Sequence, residues 1–90
     1  MNLPLYPIAD KLFTPGTQNH QIYTALLQGP VTNATMAHGM FILNYKGRMF
    51  EIREKLRPYF LTVHAERLTP NRGIFDYSLR RIEAQEVLPL

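Results

Sequence analysis

Residues 32–56 read TNATMAHGMFILNYKGRMFEIREKL, and the fold turns on how this stretch divides. From 44 to 56, Tyr45, Met49, Ile52 and Leu56 recur at steps of 4, 3 and 4, which sets them on one face of a helix. The opposite face carries Lys46, Gly47, Arg48, Glu51, Glu54 and Lys55. Pro58 is expected to end this helix, because a proline drives the preceding residue, Arg57, out of the helical region. Upstream, Thr32 offers a hydroxyl cap to a short helix through His38 that buries Ala34, Met36 and Ala37, with Gly39 as its stop. Between the two helices, Met40, Phe41, Ile42 and Leu43 make a turn with an apolar interior face.

The pattern changes on both sides of this stretch. Downstream, Leu61, Val63 and Ala65 alternate with Thr62, His64 and Glu66, and Phe75, Tyr77 and Leu79 alternate with Asp76, Ser78 and Arg80. Two runs of period two around Thr69-Pro70-Asn71-Arg72-Gly73 predict an antiparallel hairpin. Upstream, Thr17 caps a first helix through Ile22, Tyr23, Leu26 and Leu27, which Gly29 and Pro30 stop; Val31 is a short apolar bridge. Residues 1–16, with Pro4, Pro7 and Pro15, read as an extended arm. Its Leu3, Leu5, Tyr6, Ile8, Leu12 and Phe13 call for packing, on the domain or on a second copy. A two-stranded hairpin is not stable alone and must lie on the helices. The expectation is an α+β fold: a winged helix-turn-helix of three helices and a two-stranded wing over residues 17–82, followed by a tail at 83–90.

Ninety residues make one domain. The absence of cysteine removes disulfides, thiolate metal sites and thiol nucleophiles. No apolar run is long enough to span a membrane, and the first residues do not read as a secretory signal. A cytoplasmic protein is expected. His20, His38 and His64 are scattered without metal-ligand spacing, and no paired catalytic carboxylates, nucleophile elbow or phosphate-binding glycine loop appears. Neither an enzyme nor a cofactor or metal is expected. Tyr45, Tyr59, Phe60, Phe75 and Tyr77 fall at packing positions.

Charge is unevenly placed. Residues 1–43 hold only Asp10 and Lys11, whereas residues 44–82 hold nine cations against four anions. A basic half on a small domain is the footprint of a polyanion binder. A helix fits the major groove of duplex DNA, where base edges carry a distinct donor and acceptor code. Arg48 is the first choice for a base or phosphate contact, against pairing with Glu51 or Glu54 on the helix surface. Lys46 and Lys55 suit phosphate. Asn44 either reads adenine or caps the helix. Gly47 costs roughly 1 kcal/mol in a helix interior, which a close approach to DNA or to a neighbouring helix would offset. Glu51 belongs to the same candidate face. Arg72 marks the hairpin tip, suited to backbone or minor groove, with Arg67, Arg80 and Arg81 extending the patch.

With these residues in view, the chain from 17 to 79 resembles the small helix-turn-helix domains common in phage and prophage genes. The resemblance rests on Thr17-Gln18-Asn19 with Ile22 and Leu26, on the segment from Asn44 to Arg53, and on Tyr77-Ser78-Leu79. Asn44 stands where the family places an arginine, and Lys46 replaces a small residue, so no base preference carries over. The resemblance implies a phage-type transcription regulator of repressor kind on double-stranded DNA, with Arg48 the best-matched contact. One small domain makes few contacts, so a homodimer is expected, joined through the arm or through Val87-Leu88-Pro89-Leu90. Two other readings stand beside it: an architectural or excision factor that bends DNA, and a phage protein-interaction module that inhibits a host protein, which Glu51 and Glu54 favour.

Overall fold

The computed structural model describes residues 6–70 and 73–82. In chain order these form α1 (Ala9–Leu12), α2 (Gln18–Gln28), β1 (Val31–Thr32), a π-helical turn (Thr35–Gly39), α3 (Tyr45–Leu56), a 3-10 turn (Arg57–Tyr59), β2 (Leu61–Thr69) and β3 (Ile74–Arg81). The strands make one antiparallel sheet in the order β1-β3-β2. The α+β class is as expected, but the inventory is not three helices and a hairpin. Val31, read as a bridge, and Thr32, read as a cap, form a third strand that pairs with Tyr77 and Asp76 of β3.

α2 starts where the sequence places it: the Thr17 hydroxyl accepts the His20 N–H at 3.2 Å. It ends at Gly29, whose φ of 152° is open to glycine and closed to side chains. Thr32 also caps as expected, accepting the Thr35 N–H at 3.0 Å. The helix beyond it differs. The Met40 N–H donates to the Thr35 carbonyl at 2.9 Å and the Ile42 N–H to the Met36 carbonyl at 2.8 Å, so the chain winds as a wide single turn. This winding puts Met36 and Ile42 in the core while Ala34 stays exposed. The following turn keeps an apolar interior face in Met40 and Ile42, which pack on the core, whereas Phe41 and Leu43 are each 81% exposed.

α3 buries Met49, Ile52 and Leu56 and half-buries Tyr45, the face set by their spacing. Arg57 is not expelled from helical geometry; it keeps φ −54° and ψ −45°. Pro58 is accommodated because it opens the 3-10 turn, where its missing N–H has no partner to lose. The chain then reverses at Phe60, held at a left-handed φ of 59°. Tyr59 and Phe60, read as packing residues, are exposed for that reason.

The hairpin runs in register from Leu61 opposite Arg81 to Glu66 opposite Asp76, with an irregularity between Arg67 and Thr69. Leu61, Val63 and Tyr77 complete the core beneath α3, whereas Ala65, expected inside, lines an open cleft beside the helix and is exposed. The arm is not simply extended. Ala9–Leu12 form one helical turn, and Ala9, Leu12 and Phe13 join the core against α2. The Tyr23 hydroxyl donates to the Pro7 carbonyl at 2.7 Å. Burial, with smaller contributions from Tyr6 and Tyr59, pushes the Tyr23 pKa up to about 12. Asp10 and His20 meet at 2.6 Å across the same junction. Tyr6, Ala9, Leu12 and Phe13 therefore pack on their own domain, whereas Ile8, also expected to pack, is 69% exposed; residues 1–5 and the tail at 83–90, also considered as dimer contacts, lie outside the described residues. Among the described residues no helix is long and apolar enough to cross a membrane.

Candidate nucleic-acid interface

On a helix, side chains advance about 100° per residue, so the cations of α3 divide into two groups. Lys46 and Arg53 fall on the flank facing the sheet, and Arg48 and Lys55 on the flank facing α2. Each group meets different neighbours.

On the sheet flank, α3 and the hairpin enclose an open cleft of about 520 Å³. Tyr45, Met49, Phe75 and Tyr77 supply apolar surface, and Lys46 and Arg53 supply charge. Among the described residues, no carboxylate lines it. The rings of Tyr45 and Tyr77 meet edge to face at 6.5 Å. Burial, with Tyr45 beside it, raises the Tyr77 pKa, so its hydroxyl stays neutral near pH 7 although Arg53 pulls the other way. Arg53 is anchored, its Nε donating to the Val63 carbonyl at 3.0 Å. Lys46 is exposed. On the hairpin, the Arg67 guanidinium lies 5.1 Å from the centre of the Phe75 ring and donates to the Pro70 carbonyl at 2.8 Å.

Asn33 ties this cleft together. Its Nδ2 donates to the Gly73 carbonyl at 2.9 Å and to the Tyr45 hydroxyl at 3.3 Å, and its Oδ1 accepts the Phe75 N–H at 3.0 Å. The sequence reading passed over Asn33. An asparagine beside a helix cap shows nothing of this until its partners, 12 to 42 positions away, are known.

The α2 flank is occupied by internal bonds. Arg48, the first-choice contact, has a side chain only 30% exposed, with Nη1 3.4 Å from the Glu51 carboxylate. Its Nε is buried without a partner. Glu51 in turn accepts from Asn19 Nδ2 of α2 at 2.9 Å. Lys55 lies beside Glu51, Glu54, Phe13, Asn19 and Phe50 around a second, shallower opening. Glu54 pairs with Arg57 at 2.9 Å.

The remaining candidates fall between these flanks or beyond them. Asn44 occupies the N-cap position but its side chain makes no capping bond. It lies over Gly47, where a Cβ would stand 2.8 Å from its Nδ2. A side chain at position 47 would have to push this exposed Asn44 amide aside. Phe50, on the outermost face of α3, is 64% exposed. Arg72 lies outside the described residues. The structure thus brings Lys46 and Arg53 together with the hairpin and separates them from Arg48, Glu51 and Lys55. Comparisons with models of protein families, with curated proteins and with solved structures gave no significant match to this chain.

Proposed function

We propose that this chain is a winged helix-turn-helix protein that binds duplex DNA across the cleft between α3 and the hairpin. The observation that carries the reading is the cleft itself: Lys46 and Arg53 line it with no carboxylate among the described lining residues, and Arg67 is held on the adjoining hairpin. Phosphate neutralisation needs such a surface, since a nearby carboxylate would repel the backbone. The order of α2, β1, helical turn, α3 and hairpin, with β3 between β1 and β2, supports the winged reading. In this assignment α3 enters the major groove by its N-terminal turns, with Asn44, Lys46 and Gly47 nearest the bases. Arg67 and Arg72 of the hairpin take backbone or minor groove. Arg48 and Glu51 brace α3 against α2. The biological role is that of a small transcription regulator of the phage and prophage kind, acting as a homodimer on a two-fold site.

Selection of bound sequences from a random duplex pool, followed by affinity measured at several salt concentrations, tests this. A preferred site and a steep fall of affinity with salt are expected. Equal, salt-insensitive binding to every duplex, or none, would reject the proposal. A protein-interaction reading draws on Phe41, Leu43 and Phe50, large apolar side chains left exposed around α3. Specific capture of one protein by a chain that retards no DNA would favour it.

A further inference from the structure

Asn33 links the hairpin and α3 with one side chain. It stands just after β1, its amide group grips the backbone of the hairpin at Gly73 and Phe75, and it reaches the Tyr45 hydroxyl in the first turn of α3. The two hairpin bonds are reciprocal: Nδ2 gives a proton to one peptide group and Oδ1 receives one from another. Such a pairing fixes position as well as distance, because both atoms belong to one planar amide. Asn33 and its partners Tyr45, Gly73 and Phe75 all line the cleft.

We propose that Asn33 is the positioning residue that sets the spacing between α3 and the hairpin, so that duplex DNA meets both at a fixed separation. This rests on the nucleic-acid reading of the cleft. The β2–β3 ladder by itself orders the two strands relative to each other but does not tie the start of β3 to the first turn of α3. The other polar link on this flank, Arg53 to the Val63 carbonyl, joins α3 to the middle of β2. Asn33 is thus the described tie at the far end of the hairpin. A pre-set gap lowers the ordering cost of binding, and no charge is involved. Losing the tie should weaken binding without changing the number of phosphates neutralised.

The test uses the full chain with Asn33→Ala, and Asn33→Ser as a neutral variant too short to reach both Gly73 and Phe75. Affinity for the selected duplex is measured across salt concentrations at a temperature where circular dichroism shows each variant folded. Amide hydrogen exchange is read at Phe75 against amides in the middle of α3. Either variant is expected to bind about tenfold more weakly, with the salt slope of the parent retained and the Phe75 amide exchanging faster. Lys46→Ala should instead reduce the slope by about one. Parental affinity in a folded Asn33 variant, or Phe75 exchange unchanged while the α3 amides stay protected, would overturn the role of Asn33. Failure of the parent itself to bind any duplex would overturn the nucleic-acid reading, an outcome distinct from an unaltered variant.

Discussion

The two flanks of α3 carry two cations each yet serve different ends. Toward the sheet, Lys46 is exposed and Arg53 is fastened to a backbone carbonyl, with no carboxylate among the described residues that line the space between helix and hairpin. Toward α2, Arg48 is half-buried against Glu51, which is held by Asn19. Periodicity within a helix separates core from surface, but it does not say which neighbour each part of the surface will meet. The chemistry of a cation is decided by that neighbour. An arginine facing a carboxylate and an asparagine becomes a brace, and a lysine facing open space beside a hairpin becomes available to a polyanion.

Removing cations from the sheet flank should have the largest effect. Lys46→Ala with Arg67→Ala is expected to weaken duplex binding by about a hundredfold, at roughly 1–2 kcal/mol per contact, with a shallower salt dependence. Arg48→Ala in the same titration should change affinity little; a loss from Arg48→Ala equal to that of the double variant would erase the distinction. Next comes Glu51→Ala, which leaves Arg48 and Asn19 without their shared partner. It should lower stability by about 1 kcal/mol in urea denaturation, with duplex affinity kept or improved. Weaker binding without loss of stability would move Glu51 to the contacting surface. The smallest effect belongs to Gly47→Ala. The Asn44 amide that a methyl would meet is on an exposed side chain free to turn aside, so the helix should gain about 0.5–1 kcal/mol, read as a higher Tm. A lower Tm would mean that Asn44 cannot yield.

Much of the frame was legible because it is local. Thr17 caps α2 and Gly29 stops it, both by short-range rules, and the spacing of Tyr45, Met49, Ile52 and Leu56 gave the buried face of α3 directly. The alternation from Leu61 and from Phe75 gave the hairpin. What stayed hidden depends on partners far along the chain. Val31 is a strand residue only because Tyr77 lies opposite it, and two residues are too few to show a period. The π-helical turn exists to bury both Met36 and Ile42, a demand of the assembled core that propensity at Thr35 to Gly39 does not express. Arg57 keeps helical angles before a proline because a 3-10 turn follows, which the dipeptide rule does not foresee. In the candidate site, the sequence named Lys46 and the hairpin arginines among the contacts. It ranked Arg48 above them because counting turns does not reveal Asn19 on the adjacent helix.

The hydroxyl of Tyr23 has a consequence in alkali. Its folded pKa lies above the ordinary value of 10.0, at about 12, so the stabilisation it represents is complete below pH 10 and is lost as pH rises toward 12. A phenolate has no hydrogen to donate to the Pro7 carbonyl, and its charge would be buried close to Tyr6 and Tyr59. Strong base should therefore act first on the junction between the N-terminal segment and α2. Ultraviolet titration of tyrosinate should show Tyr23 and Tyr77 ionising late, Tyr23 together with loss of the fold, whereas ionisation of every tyrosine near pH 10 in the intact protein would place these rings in water.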